Sequence, residues 1–277
     1  MWDTYRSQAQ LVALVAPGEA SDMMQSLVAD AKQCGALPHW VDGSDDTIPM
    51  QGDHGPNVVT GSYMFGARNF DIESMRTFMK KSAFDEASTC NDKLSVGRNA
   101  DQPVLPTYKR LGYVPTSFPR GPWNAGSATI EMITSDRSIG TFLKALPTAA
   151  ADKAEIDSLI AGTAGKAPRA SNWTNLFDRT EKMLLGKDLN GSWYSGSADL
   201  FHESTEENYI WAFAHDWTAL IDALGGKAAA VARLNKLFSF KAFDGIEPAG
   251  LQLNSGENGS TFYIGNEPAF QTPWAYN

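Results

Sequence analysis

Apolar residues recur at helical spacing along several stretches of the 277-residue chain, and these stretches set its organisation. After the apolar run Leu11 to Val15, Pro17-Gly18 interrupts the pattern. A helix is expected to follow, with Ser21 as its cap and Met24, Leu27, Val28 and Ala31 on one face. Gly35 should end it, since glycine tolerates the left-handed turn at a helix C-terminus. Val58 to Phe65 reads as a short helix. Asp71 suits the N-cap of a helix over Ile72 to Phe84, in which Met75, Phe78 and Met79 fall together. Ile130, Ile133 and Phe142 form one stripe of a helix from Ala128 to Leu146. Glu207 to Leu224 and Ala228 to Phe238 predict a helical pair around Gly225-Gly226. Long loops rich in Gly, Pro, Asn and Asp separate these helices, at 39–57, 85–107, 114–127 and 186–202, and loops of such length usually carry function. Strand signals are short, as at Thr261 to Ile264. The pattern predicts a mainly α fold, either an α/α toroid with its loops gathered at one end or a helical bundle, and periodicity does not separate the two. No break in composition divides residues 1–277, so one domain is expected.

Composition narrows the partners. With 43% hydrophobic and 20% charged residues the chain is ordinary for a soluble globular protein. A net charge of −9 argues against nucleic acid and against an anionic membrane surface, both of which are held by Lys and Arg. No apolar run approaches the roughly 18 residues of a membrane span. A neutral glycan needs no steering field and remains open as a partner. Each of the eight Trp offers an apolar face and one N–H donor, which suits a sugar ring and equally suits a core. Cys34 and Cys90 allow one disulfide but no zinc site by themselves. The first residues, MWDTYRSQAQ, lack the basic-then-apolar pattern of an export signal, while sequons occur at Asn172, Asn190 and Asn258, so localisation stays undetermined.

Unusual polar residues concentrate in four places: Trp2-Asp3-Thr4-Tyr5-Arg6, Met50 to His54, Phe201-His202-Glu203 running into Ala214-His215-Asp216, and Gly265-Asn266-Glu267-Pro268. Glu206 and Glu207 read as first-turn carboxylates favoured by the helix dipole. Glu203 lies earlier, in a loop between the aromatic residues Phe201 and Tyr209. There it is either a capping carboxylate or a general acid kept protonated by an apolar pocket. Asn266 and Glu267 offer two hard oxygen ligands in a rigid turn, of the kind calcium prefers, although an ordinary turn uses the same residues. His215 reads as a satisfied core histidine.

Several of these blocks, in this order, resemble glycoside hydrolase family 92, the calcium-dependent exo-α-mannosidases. They are WDTYR, the Ala20 to Val28 run, Leu37-Pro38-His39-Trp40, Gly52-Asp53, Tyr108 to Pro115, Ser127 to Glu131, Asn175 to Asp178, Gly191-Ser192-Trp193 and Gly265 to Asn277. The resemblance implies a partial (α/α)6 toroid without the family's N-terminal β-sandwich or the C-terminal part of the toroid. It implies hydrolysis of terminal α-mannosyl residues of glycans with inversion, in proteins that are mostly exported. Glu203 falls at the general acid, Asn266 and Glu267 at the calcium, and Trp2, Asp3 and Arg6 at the sugar subsite, with Asp53 and Arg68 as lesser candidates. The chain departs from the family pattern at Glu207, Asn208, Ala214, Phe270 and Gln271. The family's general base lies in a segment beyond Asn277, so the chain alone is expected to be a weak or inactive enzyme. The alternatives are a non-catalytic carbohydrate-binding or structural helical remnant, or another α/α-toroid glycoside hydrolase using Glu203 with a different carboxylate.

Overall fold

The computed structural model describes residues 1–42, 45–47, 50–85, 104–116, 124–196, 199–239 and 262–277. Their architecture is mainly helical. Helix α1 spans Gln8–Val15, α2 Pro17–Cys34, α3 Gly55–Phe65, α4 Ile72–Phe84, α5 Val104–Leu111, α6 Ala125–Ala145 and α7 Lys153–Ile156. After a stretch of tighter turns come α8 at Glu206–Tyr209, α9 at Trp217–Leu224 and α10 at Lys227–Leu237. Two small antiparallel hairpins interrupt the helices. One pairs β1, Trp40–Asp42, with β2, Asp45–Thr47, and the other pairs β3, Phe177–Asp178, with β4, Met183–Leu184. Among the described residues no helix is long and apolar enough to cross a membrane.

The longest helix, α6, is buried along most of its length and packs against α3, α4 and α7. It feeds two apolar clusters. Ile139, Phe142 and Leu143 join the cluster made with α1 to α4, while Ile130 and Ile133 join Trp173, Trp211, Phe213, Leu220 and Leu234 in the other. A second face of α6 carries Ser127, Glu131, Ser135 and Ser138, three or four residues apart and therefore aligned. A buried polar stripe on an otherwise apolar helix has to meet polar partners, and here it holds loops. The Ser135 hydroxyl donates to the Asp53 carbonyl at 2.5 Å, and Thr60 of α3 donates to the Ser138 carbonyl at 2.9 Å.

Helix ends behave as their residues dictate. Gly35 takes φ 90° and closes α2, its N–H reaching the Ala31 carbonyl at 2.8 Å. Cys34, just before it, is disulfide-bonded, and Cys90 lies outside the described residues. Asp71 caps α4 by accepting from Ser74 N at 3.0 Å. Ser21 does not cap. Pro17 supplies a ready-made first turn, so α2 starts there. Ser21 then sits inside the helix, its hydroxyl donating to the Pro17 carbonyl and accepting from the N–H groups of Arg68 and Asn69. The expected helix over Glu207 to Leu224 is also broken, into α8, a 3-10 turn at Ala214–Asp216, and α9. Tyr209 to Phe213 are five consecutive residues at 2% exposure or less. Burial alone does not break a helix, since α6 buries nine successive residues from Ala125 to Ile133; here the backbone tightens into i→i+3 turns, with Trp211 N on the Asn208 carbonyl at 3.3 Å and Ala212 N on the Tyr209 carbonyl at 2.9 Å. The expected loop at 85–107 ends in helix α5, and most of it lies outside the described residues, as does Thr261 of the weak strand signal.

Candidate active site

WDTYR forms the turn that leads into α1. Trp2 is fully buried, and its indole N–H donates to Glu267 Oε2 at 2.7 Å across 265 residues of sequence. The indole is wedged edge-on between His54, with ring centroids 5.2 Å apart, and His202, at 6.0 Å. Beneath it, Tyr5 stacks on His54 at 5.6 Å. The Tyr5 hydroxyl donates to Glu131 Oε2 at 2.6 Å, and Arg6 donates to Glu131 Oε1 at 2.5 Å. Burial raises the Glu131 carboxyl above the ordinary carboxylate range, opposed by the Arg6 guanidinium. Burial also lowers His54, which is therefore neutral.

The Met50 to His54 turn presses directly on this network. Gly52 has φ 89°, and a Cβ there would stand 2.3 Å from Glu131 Cβ. Gly52→Ala combines a left-handed backbone with a steric overlap and is expected to destabilise the fold by more than about 2 kcal/mol. Chemical denaturation would measure this, and a loss below about 0.5 kcal/mol would show that the turn is not closed on Glu131.

Glu203 itself has a left-handed backbone, φ 54°, which costs a non-glycine residue about 1–2 kcal/mol and is common where a side chain must be aimed. Its side chain is 23% exposed, reachable from solvent but not bathed in it. Burial raises its pKa above the ordinary carboxylate range, and the charges of Glu267 and then Asp3 raise it further. Glu203, Glu267 and Asp3 are thus brought into one electrostatic neighbourhood.

His202 is held beside Glu203 by its own contacts. Asn124, also left-handed at φ 63°, donates from Nδ2 to the Asp199 carbonyl at 3.2 Å, and its Oδ1 accepts from Gln51 Nε2 at 3.3 Å. This fixes the amide, so the contact of His202 Nδ1 with Asn124 Oδ1 at 3.2 Å requires a proton on Nδ1. Burial lowers the His202 pKa, so the ring is neutral and Nε2 carries a lone pair. That nitrogen stands 3.7 Å from Glu203 Oε1.

Asn266 completes the cluster. It is fully buried, and its Nδ2 donates to the His202 carbonyl at 2.6 Å, while its Oδ1 has no donor among the described residues. The Tyr209 hydroxyl meets the same carbonyl at 3.0 Å, and the Ser127 hydroxyl holds the His202 N–H at 2.7 Å. Of the residues expected from sequence, Trp2, Asp3, Glu203, Asn266 and Glu267 therefore come together. Arg6 lies behind them, turned onto Glu131, with only 5% of its side chain exposed. With Tyr5 it also walls a cavity of about 310 Å³ that Trp2, Glu203 and Glu267 do not line. Asp53 is buried, and its charge acts on Asp136. Arg68 stacks over the Tyr63 ring at 3.6 Å. His215 Nε2 donates to the Ala170 carbonyl at 3.0 Å, as a core histidine would.

A model of the glycosyl hydrolase family 92 catalytic domain matches residues 1–277. The chain belongs to glycoside hydrolase family 92. Among solved structures of this family, the inverting mannosidase BT2199 of Bacteroides thetaiotaomicron shares 22% identity at a TM-score of 0.75, covering 99% of this chain and 36% of that one. The α-mannosidase BT3965 of the same organism shares 24% identity at a TM-score of 0.78, covering 99% and 33%. That enzyme is also known in complex with mannoimidazole. This chain thus spans about a third of the length of these family 92 structures. No curated protein matches it. The family's helical domain is the fold described above.

Tyr5 and His54 lay in the polar clusters marked from sequence and Tyr209 beside Glu203, each without a role in the site, and Asn124 stood outside those clusters. For Ser127 and Glu131 the polar stripe of α6 was the signal, because serine and glutamate recurring at helical spacing within a buried helix must serve something outside it.

Proposed function

We propose that this chain carries the acid and metal-binding part of a site that hydrolyses terminal α-mannosyl residues of glycans with inversion. The observation that carries the reading is the meeting of Glu203, whose pKa is raised, with the Trp2–Glu267 pair and Asn266 Oδ1, donor-free among the described residues. Glu203 would hold the proton that passes to the leaving oxygen, with burial and the charges of Glu267 and Asp3 favouring its protonated form. Trp2, fully buried, orients Glu267 through its indole N–H, and Asp3 offers a hydrogen-bond acceptor for the sugar hydroxyls.

The metal implied by the family is calcium, and the residues fit it. Asn266 Oδ1 is a hard oxygen without a hydrogen-bond donor among the described residues, next to the carboxylate of Glu267. These two would hold it, with backbone carbonyls, water or sugar hydroxyls completing the six to eight oxygens that calcium takes. When bound, calcium would supply a positive charge that attracts and orients sugar hydroxyls. Inversion also needs a base about 6.5–9.5 Å from the acid. Of the three carboxylates weighed from sequence, Asp216 accepts from Trp173 Nε1 at 2.6 Å and Asp53 acts on Asp136, while Asp3 acts on Glu203 itself. We assign the base role to none of them, and turnover by the 277-residue chain on its own is expected to be slow.

Calcium binding gives a test that does not depend on turnover. Calorimetric titration should show calcium binding to the chain, weakened at least about tenfold by Asn266→Ala. Equal affinity in the variant would remove Asn266 from the metal. A chromogenic aryl α-mannoside should be turned over only with calcium present, and proton NMR of the first product should show the β anomer. Release of the α anomer would contradict inversion.

A further inference from the structure

Glu131 has no part in the proposed chemistry, yet the site is built on it. Its carboxylate is fully buried in the middle of α6 and accepts from Tyr5 Oη at 2.6 Å and from Arg6 Nη2 at 2.5 Å, with His54 Nε2 at 3.6 Å. All three partners lead to Trp2. Tyr5 and Arg6 belong to the same turn, Arg6 lies 6.0 Å from the indole centroid, and His54 meets the indole edge. Trp2 then passes the constraint on, because its N–H holds one oxygen of Glu267 at 2.7 Å. The geometry is one chain of contacts from a buried carboxylate to a carboxylate in the candidate site.

The chemistry requires a carboxylate at position 131. Both oxygens accept, one from a phenol and one from a guanidinium, and neither donates. A glutamine would turn an N–H₂ group towards one of those donors and lose that contact. The Arg6 charge is also needed, because Glu267 acts on Glu131 as a like charge and the guanidinium is the compensating one.

We propose that Glu131 is a positioning residue of the mannoside site: by holding Tyr5 and Arg6 it fixes the plane of the Trp2 indole and, through it, the direction in which the Glu267 carboxylate faces. The consequence for catalysis rests on the function proposed above. The effect on Trp2 does not, and it can be read without sugar, metal or turnover.

The experiment is a ¹H–¹⁵N spectrum of the tryptophan indoles of the 277-residue chain. The Trp2 signal is assigned by its loss in Trp2→Phe. In the wild-type chain it should lie downfield, as expected for an indole N–H on a carboxylate. Glu131→Gln should move this signal upfield by more than it moves any of the other indole signals. Because Glu131→Gln leaves a buried guanidinium short of charge and can unfold the chain, Tyr5→Phe serves as the second variant. It removes one hydrogen bond, keeps the Arg6–Glu131 pair and the ring stack on His54, and should shift the same signal in the same direction by a smaller amount. A residue that only adds stability would lower the melting temperature and leave the Trp2 signal in place. An unmoved Trp2 signal in folded Glu131→Gln, or in Tyr5→Phe where the first variant does not fold, would overturn the proposal. Failure of the wild-type chain to bind calcium would instead count against the proposed function and leave this result readable.

Discussion

Replacing Glu203 by glutamine is expected to slow hydrolysis of an α-mannoside with an unactivated alcohol leaving group by about 10²–10⁴-fold, the usual contribution of a general acid. Glutamine keeps the size of the side chain and removes the transferable proton. The loss should be much smaller for a dinitrophenyl mannoside, whose leaving group departs without protonation. The pH profile carries the same signature. Glu203 acts while protonated, and burial together with Glu267 and Asp3 raises its pKa. Wild-type activity should therefore persist above the pH at which an ordinary glutamate ionises, then fall as the pH rises through the raised value. That alkaline limb should be missing in Glu203→Gln. Equal losses for both substrates, or an unchanged alkaline limb, would move the acid role elsewhere.

The largest effect on stability is expected away from the site, at Arg169. Its guanidinium holds Asp136 through two hydrogen bonds, at 3.0 and 2.6 Å, and reaches the Ala83 carbonyl at 2.9 Å. Tyr108 adds a hydrogen bond to Asp136 at 2.9 Å. Asp136 is 2% exposed, and burial already raises its pKa against the pull of Arg169. Arg169→Met would leave a buried carboxylate to ionise alone or to take up a proton, and breaking such a pair costs about 3–5 kcal/mol. Arg169→Met combined with Asp136→Leu should recover much of that loss, because an apolar pair of similar volume removes both desolvation penalties. Denaturant midpoints would measure both variants. A loss under about 1 kcal/mol for the single variant would show that the pair is hydrated.

Much of the helical framework was legible because it follows from spacing. Met24, Val28 and Ala31 on α2 and Met75 and Met79 on α4 are all buried, as their positions three and four residues apart imply. Gly35 and Asp71 end and begin their helices for reasons that lie within a turn of sequence. The misreadings have physical causes of two kinds. Ser21 failed as a cap where a stronger local demand, a proline-started turn, won, and the 207–224 stretch tightens into i→i+3 turns between α8 and α9. Helix α5 was hidden at the end of a stretch read as loop.

The site was legible only through its motifs. Trp2 and Glu267 stand at opposite ends of the sequence, and no periodicity predicts that one donates to the other. The family resemblance joined Trp2, Asp3, Glu203, Asn266 and Glu267, and these are the residues that meet. It also put Arg6 and Asp53 with the sugar; Arg6 pairs with Glu131, and Asp53 is buried. Motifs identify residues that belong together but do not say which of them faces the ligand. Burial does not separate them, because Trp2 and Asn266 are as buried as Arg6 and Asp53.

The central claim is that Glu203, Trp2, Asn266 and Glu267 form one calcium-dependent mannose site. Calorimetric titration of the 277-residue chain with mannoimidazole tests it most directly, because binding needs no general base. The account predicts binding in calcium, its loss on chelation and in Asn266→Ala, and a weakening of roughly 10–100-fold in Glu203→Gln, the worth of about 1.5–3 kcal/mol for one charge-assisted hydrogen bond. Binding of equal strength with and without calcium, unchanged by both substitutions, would contradict it.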